Sequence, residues 1–353
     1  MYNFFLFLQK ISNFMKNCKS FSKFLGEVVA LGVVVIVGAL WLISRPCTES
    51  QKELFIPTGT TYEALLDTLQ ANDFKHISTI DFVGKLKKLN LNPKAGHYVV
   101  PEGATAMKVV GMLRSGAQKP VRLTFNNTRT LSDLAGRIGE QIEADSATLY
   151  AYFINKGTAE KYDIKSEELI GLFIPNTYEV WWNISPEALT DRMAREWEKF
   201  WNEERTAKLA RTKLSKMEVV TLASIVYEES KNVGEMPKIA GVYINRLRKR
   251  MPLQACPTAK YALGDFSIKR VLHKHTQVES PYNTYKYRGL TPGPICTPSI
   301  AAIDAVLNYT DHKYLYFCAR EDFSGRHYFS STLTEHNRYA KRYADALRKA
   351  GIR

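Results

Sequence analysis

Two adjacent carboxylates, Glu228 and Glu229, end the apolar run Val219-Val220-Thr221-Leu222-Ala223-Ser224-Ile225-Val226-Tyr227. On a helix, residues three, four and seven apart share a face. Glu229 then lines up with Val226, Ile225 and Leu222, and Glu228 with Ser224 and Thr221. The pattern predicts Glu229 against the core and Glu228 better solvated. Loss of hydration raises a carboxylate's pKa, and a Glu still protonated near neutral pH is a general acid. The competing reading is an ion-paired helix end, with Arg246 or Arg248 as the cation. Parts of a sugar site lie downstream. Tyr282 and Tyr285 offer aromatic faces for pyranose rings, and Asn283 an amide suited to N-acetyl groups. Gln254 and Asn245 add neutral hydrogen-bonding groups, although Tyr in a loop commonly packs and Asn commonly turns the chain. His273-x-His275 is too sparse for a metal site, Gly103 and Gly111 form no phosphate-binding signature, and no cofactor is expected.

The elements that must hold these groups follow from periodicity. Three stretches, ending at Thr61, Thr105 and Thr130, share an apolar strand, a turn, a Thr suited to cap a helix, and helical apolar spacing beyond. They predict a small α+β module over 53–121 whose outgoing strand opens a second domain, 122–353. From about residue 130 to 250 the chain reads as mostly helical. Pro186–Thr212 reads as one long charged helix with Trp197 and Trp201 as its core stripe; Ser215–Ser230 and Met236–Arg250 follow. Four prolines and two glycines make 281–298 a shaped loop. A helix restarts at Pro298 with Thr297 as its cap. Two strands, Tyr314–Cys318 and His327–Phe329, precede a terminal helix from Thr332 to Ala350. The expected fold is thus α+β: an apolar N-terminal helix, a small α+β module, and a mainly helical domain with a short sheet.

The amino terminus sets the location. Leu25 to Ser44 is apolar apart from Glu27 and long enough to cross a hydrocarbon core of about 30 Å. Lys10, Lys16, Lys19 and Lys23 precede it with no acid among residues 1–24. The positive-inside rule puts 1–24 in the cytoplasm and everything beyond a 45–52 linker outside. Phe4, Phe5 and Phe7 suit the inner leaflet. The exit Ser44-Arg45-Pro46 lacks the small residues of a cleavage site, so an uncleaved single-pass anchor is expected. The 353-residue chain carries 49 Lys+Arg against 35 Asp+Glu, a net charge of +14. Such a surface suits nucleic acid, anionic lipid or an anionic cell-wall polymer, and charge alone does not choose. Ordinary globular composition excludes a disordered or polytopic chain, and five cysteines without Cys-x-x-Cys exclude a disulfide scaffold.

Leu222-Ala223-Ser224-Ile225-Val226-Tyr227-Glu228-Glu229-Ser230 followed by Ile239-Ala240-Gly241-Val242-Tyr243-Ile244-Asn245-Arg246-Leu247 resembles the membrane-anchored endolytic murein transglycosylases, the YceG-like (MltG) family. Met251-Pro252-Leu253-Gln254-Ala255-Cys256-Pro257-Thr258, Tyr282-Asn283-Thr284-Tyr285, Gly289–Ile295, Tyr314–Phe317 and Glu335-His336-Asn337 extend the likeness. Leu172–Tyr178 is similar to another family element, with one extra residue. The resemblance implies a LysM-like module ahead of the catalytic domain, Glu229 as the catalytic residue, and Gln254, Tyr282, Asn283, Tyr285 and Asn245 as glycan contacts. It implies peptidoglycan strands as substrate, a single-pass protein of the bacterial inner membrane, and peptidoglycan synthases as partners, with no role for nucleic acid. The family's Asp in Leu-Gln-x-Asp-Pro-Thr is Cys256 here. The family resemblance also places Cys256 and Cys296 on loops bordering one cleft, which implies either a Cys256–Cys296 disulfide or two free thiols. The alternatives are a hydrolytic muramidase and a non-catalytic wall-binding scaffold.

Overall fold

The computed structural model describes residues 6, 9–10, 27–268 and 271–351. Lys16, Lys19 and Lys23, the three phenylalanines and the first two residues of the expected span lie outside them. The chain divides into two compact units, 1–120 and 121–353.

In the first unit, α1 (Glu27–Ser44) has a mean hydropathy of 2.4 and none of its residues is buried, although Ile43 packs against the core of the unit. Beyond it, β1 (Lys52–Ile56) pairs antiparallel with β2 (Gly96–Val100), Leu54 opposite Tyr98. Helices α2 (Tyr62–Ala71), α3 (Ile77–Leu86) and α4 (Ala106–Ser115) complete the module. Leu54, Ile56, Leu65, Leu69, Ile80, Tyr98, Val109 and Val110 fill its core. Thr61 and Thr105 accept the backbone N–H of Ala64 and Lys108, capping α2 and α4. The segment 45–52 is not a free linker. Cys47 and Thr48 are buried. The Cys47 N–H donates to the Ala104 carbonyl at 2.7 Å, and the Thr48 hydroxyl donates to that of Pro101 at 2.8 Å. The turn 101–105 has carbonyls that need donors, and the chain leaving α1 supplies them.

The second unit opens with β3 (Val121–Phe125), antiparallel to β4 (Asn176–Val180). Between them lie α5 (Leu131–Gly139), α6 (Ser146–Ile154), α7 (Lys156–Glu160) and a 3₁₀ turn, Ser166–Leu172. The helix expected over 186–212 is two: α8 (Pro186–Phe200) and α9 (Glu203–Thr212). The break falls at Trp201, which turns into the core, and Asn202 caps the new helix through the Arg205 N–H. There follow α10 (Lys216–Glu229), α11 (Met236–Arg248), α12 (Cys256–Leu263) and α13 (Ile300–Leu307). A hairpin, β5 (Tyr316–Ala319) with β6 (His327–Ser330), leads to α14 (Leu333–Lys349).

Ser299, not Thr297, caps α13. Thr297 instead exchanges backbone hydrogen bonds with the 126–128 turn: its N–H donates to the Thr128 carbonyl and its hydroxyl accepts the Thr128 N–H at 2.9 Å. Helix α10 is the hub. Val219 through Val226 are buried without a break, so its apolar character runs all round until the last turn. The 281–298 loop closes tightly over the 3₁₀ turn: a Cβ on Gly293 would overlap the Glu167 carbonyl.

Candidate active site

A capping box between Ser215 and Glu218 starts α10, and Ser230 ends it in extended geometry, so the two carboxylates occupy the last helical positions. The Glu229 residue is partly exposed, but its carboxyl is enclosed by protein between two small cavities. One, of about 170 Å³, is lined by Arg129, Glu228, Lys260, Tyr261, Phe266 and Ile295. The other, of about 310 Å³, is lined by Tyr243, Arg246, Gln254, Tyr285, Phe317 and His336. Glu229 and Cys256 line both.

The two carboxylates are in opposite electrostatic states. Burial pushes Glu229 up to about 7, against the opposing pull of the Tyr243 hydroxyl, Lys260 and the Cys256 backbone N–H. The Tyr243 hydroxyl donates to Glu229 Oε1 at 2.7 Å. No cation pairs with Glu229 within the described residues, so the ion-paired alternative fails there: Arg246 and Arg248 are spent on other oxygens. Glu228 is also poor in water, and its side chain is only 13% exposed. Burial works to raise its pKa, but Lys231 and Arg129 outweigh that and hold it below the usual range. The Arg129 guanidinium donates to Glu228 Oε2 at 3.0 Å and Lys231 to Oε1 at 3.0 Å. Ion pairing, and not the solvation expected from its helix face, keeps Glu228 charged.

The other expected contacts divide. Gln254 sits at a positive φ of 51° and lines the Glu229 cavity, its Oε1 accepting from Arg246 at 3.2 Å. Tyr285 lines the same cavity. Asn283 does not: it is fully buried, and its amide donates to the Thr276 and Val278 carbonyls at 3.0 and 2.8 Å. A loop with few regular hydrogen bonds consumes that amide to hold its own shape. Asn245 likewise donates to the His312 and Tyr314 carbonyls, tying α11 to the approach to β5. Tyr282 packs on Tyr261, with ring centres 4.7 Å apart, and faces a trough outside the Glu229 cavities. Of the other carboxylates, Glu235 pairs with His327 and Asp265 caps Ser267. Among the described residues no three His, Cys, Asp or Glu side chains converge as a metal site. Periodicity had no means of finding Arg129, Lys260 or Phe266, which reach the site from other elements. Tyr243 and Arg246 carried a signal, one helical turn apart on α11.

The disulfide is absent. Cys256 and Cys296 are both free. Cys256 Sγ lies 3.2 Å from the Tyr285 hydroxyl, whereas Cys296 is buried with its thiol on the Ser224 carbonyl. Cys256 lines both Glu229 cavities, and Cys296 lines neither. Native-state alkylation is expected to modify Cys256 and to reach Cys47 and Cys296 only after unfolding. A tryptic peptide linking Cys256 to Cys296 would contradict the structure.

Residues 54–342 match the model of the YceG-like family. The chain belongs to the YceG-like family. A relative named endolytic murein transglycosylase in Bacillus subtilis (strain 168) is 29% identical over 335 residues, 88% of this chain and 91% of that protein. One of the same name in Streptococcus pneumoniae serotype 2 (strain D39) is 30% identical over 315 residues, covering 80% of this chain and 56% of the longer relative. A solved yceG-like protein of Listeria monocytogenes matches with a TM-score of 0.53 at 27% identity, over 82% of this chain and 99% of its own. In this YceG-like chain Glu228 and Glu229 are the acids lining the first cavity, with the thiol residue Cys256 beside them.

Proposed function

We propose that this protein is an endolytic murein transglycosylase, cleaving the β-1,4 bond between N-acetylmuramic acid and N-acetylglucosamine in nascent strands without water. The observation that carries the reading is one carboxylate that has no cation partner and is bound by the Tyr243 hydroxyl, beside one locked in ion pairs. Glu229 donates its proton to the bridging oxygen as the C1–O bond breaks, and N-acetylglucosamine leaves with a free 4-hydroxyl. The resulting carboxylate, held by Tyr243, takes the proton of the muramic 6-hydroxyl, and O6 closes on C1 as a 1,6-anhydro ring. Glu229 ends protonated, ready for another turnover. Most hydrolases need a second carboxylate to activate water or attack the sugar. Glu228 is the neighbour in place, but both of its oxygens are engaged by Arg129 and Lys231, which disfavours the muramidase. A wall-binding scaffold would have no use for an acid kept from ionising by burial. Purified protein is expected to shorten isolated glycan strands; no turnover would overturn the reading in favour of the scaffold.

The first unit supports the LysM-like reading by its small α+β build. For α1, 18 residues at about 1.5 Å each give a length close to the hydrocarbon thickness. We place the lysine-rich N-terminus in the cytoplasm and both units outside, which brings the site to membrane-proximal strands and to the synthases that extrude them. Protease added to spheroplasts is expected to digest the material beyond residue 44. Protection of that material would reverse the orientation.

A further inference from the structure

Beside the Glu229 cavities lies a trough of about 490 Å³ that the mechanism does not use. Tyr261 lines both the trough and the smaller Glu229 cavity, so the trough lies one side chain away from that cavity. Tyr282 extends that wall from the shaped loop. The opposite side is α6, where Tyr150 and Ile154, one turn apart, are 40% and 54% exposed. Phe153 and Ile170 make the floor and are buried. The rim is polar: Ser132, Ser166 and Glu167 line it. Among the described residues Glu167 makes no ion pair and neither serine hydroxyl has a protein partner.

An apolar floor between aromatic walls, with hydroxyl and carboxylate groups at the rim, has the chemistry of a pyranose site. The sugar's C–H face lies on the rings and its hydroxyls meet the rim. An enzyme that cuts within a strand must hold sugars beyond the two at the bond. We propose that this trough is a distal glycan subsite, taking a pyranose ring of the strand whose bond lies at Glu229. The proposal rests on the strand-cleaving function argued above.

The test uses full-length protein in detergent carrying Glu229→Gln, so that binding is read without turnover. Affinities are compared for long uncross-linked strands and for the disaccharide unit. Adding Tyr150→Ala is expected to lower the long-to-short affinity ratio about three- to tenfold, the scale of one lost aromatic contact. Tyr150→Phe keeps the ring and should keep the ratio; thermal melting establishes that both variants fold. Strands stripped of their peptides must show the same drop. An unchanged ratio in Tyr150→Ala overturns the subsite. A drop that vanishes on stripped strands also overturns it, because the trough would then take the peptide stem. Either failure leaves cleavage by the unmutated protein intact, whereas absence of that cleavage would overturn the function itself.

Discussion

Replacing Glu229 with Gln is expected to abolish strand cleavage while making the protein more stable at alkaline pH. Gln keeps the shape and can still accept from Tyr243, but it holds no transferable proton. Loss of a general acid alone removes about 10²–10⁴-fold, and here the same group also serves as the base. The stability effect has a definite sign. Burial raises the Glu229 pKa to about 7 in the folded protein from an ordinary value of 4.5. The folded state therefore binds this proton more tightly, and the stability this lends is full below about pH 4.5 and is lost as pH rises through 7. Above pH 7 the wild-type protein carries an ionised buried carboxylate at a cost of about 3 kcal/mol. Glu229→Gln lacks that burden. Melting temperatures should be close at pH 4.5 and several degrees higher for the variant at pH 8. In the wild-type protein kcat/KM should fall above about pH 7 with loss of one proton. Full activity in the variant would place the general acid elsewhere.

Arg246→Ala should be the most destabilising single change near the site. Arg246 is 7% exposed. Its Nε donates to the Leu315 carbonyl at 2.7 Å, and Nη1 donates to those of Pro252 and Leu253 and to Gln254 Oε1. One guanidinium thus fastens the 251–254 turn and the approach to β5 onto α11, the helix that carries Tyr243. Deleting it strands several acceptors, and a hydrogen bond to a charged group contributes about 1.5–3 kcal/mol. A net loss of about 3 kcal/mol or more is expected, a fall of roughly 6–12 °C in melting temperature for a unit of this size. Activity should fall with it, because the cavity wall at Gln254 and Cys256 loses its anchor. Arg246→Lys should rescue little, since an ammonium cannot reproduce the fork. Normal melting and activity in Arg246→Lys would show that the fork is dispensable.

What the sequence made legible was what local periodicity encodes. The apolar run of α10 marks a buried helix ending in two carboxylates, and a Thr before each apolar-periodic run marks the starts of α2, α4 and α5. The misreadings share a cause in contacts distant along the chain. Thr297 looks like a helix cap, but a turn some 169 residues earlier claims it, and Ser299 takes the cap. Pro186–Thr212 has one continuous helical pattern, yet the core draws in Trp201 and Asn202 offers a new start. Strand β4 was hidden because its partner β3 lies on the far side of α5, α6 and α7. At the site, Asn283 and Asn245 have the right chemistry for N-acetyl groups, but backbone carbonyls claimed both amides. Arg129, which fixes the charge of Glu228, approaches from 99 residues away.

The chemistry of the new chain ends tests the central claim most directly. Isolated peptidoglycan digested with the wild-type protein and analysed by mass spectrometry should yield fragments ending in 1,6-anhydro-N-acetylmuramic acid, lighter by one water than the hydrolytic product and resistant to borohydride. Such ends require the attacking oxygen to come from the sugar, with Glu229 cycling the proton alone. Reducing ends in their place would mean that water attacks, that a second carboxylate acts beside Glu229, and that the one-acid account is wrong.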